Sequence, residues 1–169
     1  VDKLCTLFTR RGQTVGVIAV DPTSPFTGGA LLGDRIRMQD LTGNKDVFIR
    51  SMASRGSTGG LAVATSEVIK ALDAFGKDII LVETVGVGQV ELDVAEACDF
   101  TLVVLVPESG DSVQALKAGL MEIADIFCVN KADRDGANRI VSELNMILDI
   151  KRDKTKREIP VLPTQAVNN

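Results

Sequence analysis

Histidine, tryptophan and tyrosine are absent from these 169 residues. Without histidine there is no Ser-His-Asp triad, no imidazole general base and no imidazole metal ligand. Aromatic content is limited to six phenylalanines and the formal net charge is −4. Little is therefore available to stack on bases or to neutralise phosphates along a strand, and a nucleic-acid partner is not expected. Cys5, Cys98 and Cys128 are odd in number, widely spaced and without a Cys-x-x-Cys. That pattern suggests neither a disulfide framework nor a zinc site, and the three read as reduced packing residues. No run approaches the roughly 18 uninterrupted apolar residues of a membrane span. The opening VDKLCTLFTRRG also lacks the apolar core and small-residue cleavage site of a secretory signal. A cytoplasmic location without membrane attachment is the expectation.

What is present is enough apolar side chain, 45% of residues, for one sizeable core. The runs at 78–84, 100–106 and 125–130 are continuously apolar, as parallel strands covered on both faces require. Further strands are predicted at 14–21, 46–52 and 159–164. Helical spacing appears between them: Val1, Leu4, Leu7 and Phe8 up to Gly12; Leu61, Ala64, Val68, Leu72 and Phe75 up to Gly76; Val113, Leu116, Leu120 and Ile123; Ile140, Leu144, Ile147 and Leu148. The alternation predicts an α/β fold, a mostly parallel sheet with helices on both faces, whose ligands bind at loops after the carboxyl ends of the strands. The basic run 151–158 reads as a solvated helix tail.

Those loops carry the candidate chemistry. Asn130-Lys131-Ala132-Asp133 begins where an apolar strand stops. The Asp133 carboxylate can accept from both the N1–H and the exocyclic amine of guanine, a donor pair adenine lacks, and the Lys131 stem can lie over the ring. A solvated post-strand turn is the alternative. Thr164-Gln165-Ala166, after the next strand, can offer a backbone N–H to the guanine O6, or can be a plain loop. In VETVGVGQ (82–89), Glu83 can hold a Mg2+ water, and Gly86, lacking a side chain, lets its N–H approach a terminal phosphate; the alternative is a solvated acid in a strand-to-helix turn. Asp21 ends a further strand before Pro22, as a second Mg2+ carboxylate or as a turn-forming residue. GGALLGD (28–34) has the glycine spacing of a phosphate-binding loop but Asp34 where the lysine belongs, and no G-x-x-x-x-G-K-[ST] occurs anywhere in the chain.

The strings VIAVDPTSPFTGGALLGDRIRM, FIRSMASRGSTGGL, ILVETVGVGQVELDVA and VNKAD, in that order, resemble the G domain of the MeaB/ArgK family. These are GTPases that accompany adenosylcobalamin-dependent methylmalonyl-CoA mutase. The resemblance runs along nearly the whole chain. It implies a P-loop NTPase fold of the SIMIBI type, in which a strand and P-loop directly precede a helix like VDKLCTLFTRRG. The expectation is thus that residues 1–169 form a partial GTP-binding domain, truncated at the N-terminus, which begins just after its own phosphate cradle.

The same resemblance implies roles by position. Asp21 and Glu83 match acidic Mg2+ positions; Asp34, in a mobile first switch, joins that shell; Gly86 belongs to the second switch and is the catalytic candidate. Asn130, Lys131 and Asp133 match the base site for GTP or GDP. The segment 107–119 corresponds to one that relays nucleotide state to the mutase; read from residues alone it is a capped helix start with Asp111 near its N-terminus. Gln89 lies three residues beyond Gly86, so the water-positioning role of glutamine in small GTPases is not transferred to it. The implied function is slow GTP hydrolysis that gates cofactor loading and protection of a cobalamin-dependent acyl-CoA mutase, with a homodimer as the family's usual state. The alternatives are a nickel-delivery GTPase of the same fold, for which histidines and paired cysteines are missing, and a non-hydrolysing nucleotide-dependent interaction module. With no P-loop, the 169-residue chain is expected to bind GTP poorly and to be inactive in hydrolysis. Titration with labelled GTP checks this, and sub-micromolar affinity would contradict it.

Overall fold

The computed structural model describes residues 1–21, 38, 41, 43–53, 58–84, 89–107, 119–155 and 158–168, with 21, 53, 58–62, 89–91 and 151–155 by their main chain alone. They form two compact units, Val1–Cys98 and Asp99–Asn169. The first contains α1 (Asp2–Arg10), β1 (Val15–Asp21), β2 (Val47–Ala53), α2 (Thr58–Ala74), β3 (Ile79–Thr84) and α3 (Gln89–Ala95). Its three strands pair in the order β2-β1-β3, parallel throughout.

Strand β1 is the spine of this unit, with Val15, Val17, Ile18, Ala19 and Val20 all buried. Alternation divides them between two cores. Val15, Val17 and Ala19 join Cys5 and Phe8 of α1, and Ile79 and Leu81 of β3, on one face. Ile18 and Val20 join Val68, Ile69 and Leu72 of α2 on the other. Helices therefore cover both faces, as the continuous apolar runs require. Gly16 sits under α2, where a Cβ would lie 2.9 Å from Leu72 Cδ1; its missing side chain allows that close approach.

The inward line of α2 is Thr65, Val68, Ile69 and Leu72. The stripe expected from sequence differs at two places: Ala64 is exposed, and Phe75 is 83% exposed. Phe75 lies just past the helix end, where Gly76 at φ 81° turns the chain away. Thr65 is fully buried with its hydroxyl unpaired among the described residues.

Both helix-to-strand joints of this unit use one device. Gln13 N–H donates to Phe8 O at 3.1 Å and Gly12 N–H to Thr9 O at 3.0 Å; likewise Lys77 N–H donates to Leu72 O at 3.1 Å and Gly76 N–H to Asp73 O at 2.8 Å. These are Schellman closures, and Gly12 at φ 78° and Gly76 meet their left-handed requirement. The next residues clamp the joints together. Thr14 donates to Asp78 Oδ2 through its N–H at 2.7 Å and its hydroxyl at 2.8 Å, and Ile79 N–H returns a bond to Thr14 O at 3.1 Å.

The second unit contains β4 (Leu102–Leu105), α4 (Leu120–Ile123), β5 (Ile126–Asn130), α5 (Ala137–Thr155) and β6 (Val161–Thr164), the strands pairing parallel in the order β4-β5-β6. Val103, Leu105, Phe127 and Val129 are buried, as are Ala137, Ile140 and Leu144 of α5, which packs on β5 and β6. The alternate strand positions do not follow the expectation of burial on both faces: Leu102 is 45% and Val104 54% exposed. The strand starts repeat the clamp of the first unit: Thr101 N–H donates to Asp125 Oδ2 at 2.7 Å, and Asp125 N–H to Thr101 O at 2.9 Å.

All six predicted strands are present with boundaries shifted by one or two residues. Of the helix expected from Val113, only Leu120–Ile123 falls among the described residues, and α3 was not foreseen because seven residues hold too little apolar periodicity. Among the described residues no helix is long and apolar enough to cross a membrane.

Two predictions follow from this packing. The two bonds from Thr14 hold the Asp78 carboxyl below its ordinary range, the main-chain N–H first and the hydroxyl second. A depressed folded value stabilises the fold above the unfolded value near 3.9, and the contribution is lost as pH falls through the folded value. The stability gap between wild type and Thr14→Val should accordingly narrow below about pH 4, as urea unfolding across pH 3 to 7 will show. Thr65→Val, which removes an unpaired buried hydroxyl at nearly constant shape, should stabilise the fold by about 1 kcal/mol in the same assay.

Candidate functional site

The carboxyl ends of β5 and β6 bring the second unit's candidates together. Asn130 and Thr164 are direct register partners and close these strands. Lys131 then takes φ 58°, a left-handed backbone uncommon for a residue with a Cβ. The chain doubles back through Arg134 N–H, which donates to Lys131 O at 3.0 Å, and enters α5 after Gly136 at φ 90°. This leaves Asp133 exposed on the turn. Its carboxylate is open to donors from solvent or ligand.

Two bonds tie this turn to the loop after β6. Ala132 N–H donates to Thr164 O at 3.0 Å, and Ala166 N–H donates to Asn130 Oδ1 at 3.0 Å. The same Oδ1 faces the Thr164 hydroxyl at 3.4 Å, a long contact beside the usual 2.7–2.8 Å for O–H···O. The Thr164 hydroxyl also lies 3.0 Å from Cys128 Sγ. Half-buried Gln165 is held by Asn168, whose N–H donates to Gln165 O at 3.0 Å and whose Nδ2 donates to Gln165 Oε1 at 2.9 Å. Asn130, Ala132, Thr164 and Ala166 thus form one bonded cluster, with Lys131 and Asp133 on the same turn. Asn130 serves as its brace. Of the tripeptide read from sequence as able to offer a main-chain N–H to the guanine O6, the Ala166 N–H is engaged by Asn130, so an incoming oxygen must share or take that donor.

Cys128 was read from sequence as packing only. Its position two residues before Asn130, on the same side of β5 by alternation, was the available signal.

In the first unit, Asp21 is the last residue of β1 and Glu83, half-buried, is next to last in β3. Glu83 pairs in register with Ala19, two residues before Asp21. Both acids therefore stand at the carboxyl edge of adjacent parallel strands. Asp34, Gly86 and Asp111 lie outside the described residues. Among the described residues no group of three or more His, Cys, Asp or Glu is placed to hold a metal ion. The carboxylate of Glu83 is a hard oxygen donor of the kind that suits Mg2+.

Parallel α/β units with polar residues gathered on the loops after their strands have the architecture of nucleotide-binding α/β proteins. The family model described as methylmalonyl Co-A mutase-associated GTPase MeaB matches residues 1–169, and the chain belongs to that family. It is 59% identical to a Pyrococcus abyssi protein over 173 residues, covering 100% of this chain and 53% of that one. It is 43% identical over 140 residues to the GTPase ArgK of Escherichia coli, covering 83% and 42%. With the mitochondrial methylmalonic aciduria type A homolog of Caenorhabditis elegans it shares 43% identity over 129 residues, covering 76% and 31%. The chain thus spans about half or less of the length of these relatives. Among solved structures, HypB from Helicobacter pylori in complex with nickel is similar in fold, with a TM-score of 0.58 at 19% identity over 98% of this chain and 72% of that one.

If Asn130 braces the loop after β6, Asn130→Ala should speed hydrogen exchange of the Ala166 amide by about tenfold, the loss of one net hydrogen bond. Exchange-detected NMR on the two proteins is the check, with Phe127 in the buried part of β5 as an internal reference.

Proposed function

We propose that the cluster at the ends of β5 and β6 reads guanine, and that the chain is the base-reading part of a GTPase serving a cobalamin-dependent acyl-CoA mutase. The observation that carries this reading is the division of labour in Asn130-Lys131-Ala132-Asp133. Asn130 is spent on holding two loops together, while Asp133 stays exposed and open to the paired donors of the base. A lysine held at φ 58° supports the same reading, because an unfavourable backbone is kept where the surroundings impose it, and such positions cluster at ligand sites.

The chain's residues then act as follows. Asp133 accepts from N1–H and the exocyclic amine, and adenine leaves it unmatched. The Lys131 stem covers one face of the ring. Ala166 N–H is turned toward O6, in competition with Asn130. In the first unit Asp21 and Glu83, together with Asp34, would hold Mg2+, which when bound would supply compensation for the charge on the phosphates. Gly86 lets its N–H approach the terminal phosphate. Hydrolysis consists of placing a water in line with that phosphate, and the useful output is the change of state of the loops rather than turnover.

The family description, mutase-associated GTPase, supports a mutase as the partner. Gating of cofactor loading and protection of that mutase, by a homodimer, is the form of the proposal. The likeness to a nickel-bound HypB extends to fold alone at 19% identity, and a chain without histidine is poorly equipped to hand on nickel.

The test is base preference. In 15N-resolved titrations of the 169-residue chain, guanosine should shift the amides of Lys131 to Asp133 and of Ala166 more strongly than adenosine. Asp133→Asn should move preference from guanosine to xanthosine by about tenfold or more. Unchanged preference in the variant would remove the assignment.

A further inference from the structure

Cys128 is one of three free cysteines, and it differs from the buried Cys5 in touching the base-reading cluster. Its register partners are Val104 on β4 and Leu162 on β6. Its thiol reaches diagonally past Leu162 to the Thr164 hydroxyl at 3.0 Å, a close approach for a sulfur contact. Thr164 in turn stands opposite Asn130, whose Oδ1 already receives Ala166 N–H at 3.0 Å.

Proton counting makes this contact consequential. A hydroxyl carries one proton and two acceptor lone pairs. If that proton goes to sulfur, Asn130 Oδ1 keeps Ala166 N–H as its sole donor in the cluster. If the thiol donates instead, the hydroxyl proton is free for Oδ1, across the 3.4 Å that now separates them. When a carbonyl oxygen on the ligand claims Ala166 N–H, Oδ1 loses its nearer donor. Leaving a partly buried carboxamide oxygen without a donor is unfavourable, and the Thr164 hydroxyl is positioned to replace it, provided its own oxygen is satisfied by the thiol.

We propose that Cys128 is a positioning residue for recognition of the purine six-position oxygen, acting through Thr164 and Asn130 to release the Ala166 amide. This rests on the base-reading assignment above. Cys128 does not touch the base. It sets the cost of freeing the donor that does.

The experiment measures three nucleosides against wild type, Cys128→Ala and Cys128→Ser of the 169-residue chain by NMR titration. Guanosine carries both the oxygen and the exocyclic amine; inosine lacks the amine; 2-aminopurine riboside keeps the amine and lacks both the oxygen and the N1–H that accompanies it, a difference that is the same for every variant with Asp133 intact. In Cys128→Ala the preference for guanosine over 2-aminopurine riboside should fall about three- to tenfold, while the preference for guanosine over inosine, which depends on Asp133, stays as in wild type. Cys128→Ser, which keeps a donor, should restore the first ratio. A general loosening of the loop would lower both ratios together, and that result, or no change in either, overturns the proposal. Should Cys128→Ala lose its native spectrum, Cys128→Val fills the site without a donor and is held to the same outcomes. Absence of any guanosine preference in wild type would instead overturn the base-reading assignment, and this inference with it.

Discussion

A carboxylate placed one residue ahead of a strand, taking the backbone N–H one residue ahead of its neighbour, is the interaction on which the geometry of both units depends. Asp78 does this for Thr14 and Asp125 for Thr101, each at 2.7 Å. Parallel strands lack a hairpin turn to fix their relative shift, so something at their starts must do it. A slip of one residue would exchange the two faces of β1 and move every side chain in its two cores. It would also displace the strand ends. Functional residues in this architecture stand on those ends, so an acid at one edge of the sheet governs the alignment of acids at the other.

That alignment gives each unit its own chemistry. In the first, Asp21 is the last residue of β1 and Glu83 the next to last of the adjacent β3. The second ends in amide, hydroxyl, thiol and main-chain donors braced by Asn130, with one carboxylate left outside.

Much of this was legible in the order of residues. The strands could be read because β3, β4 and β5 carry continuous apolar runs, and the helix ends because Gly12 and Gly76 sit where left-handed turns are needed. Asn130 to Asp133 could be placed at a strand tip for the same reason. Exposure could not be read so well. Leu102 and Val104 belong to as apolar a run as any, yet they are exposed, because burial depends on what packs against each face of the sheet and the run itself does not carry that. Phe75 fits a helical repeat by spacing, but the helix stops one residue before it. Cys128 was invisible as part of a network because its partner, Thr164, is 36 residues away and the two meet only through the register of β5 with β6.

The four described strand pairings are all parallel, which has a bearing on how the chain reaches this state. No pair can be nucleated by a tight turn; each demands that a crossover be closed before its ladder returns any bond. The entropy of closing such loops comes first and the contacts that offset it come late, so folding belongs to the slower part of the range for single domains, on the order of milliseconds to seconds. During that interval the apolar edge of β4 is open to other chains, and dilution should favour recovery of the native protein after denaturation.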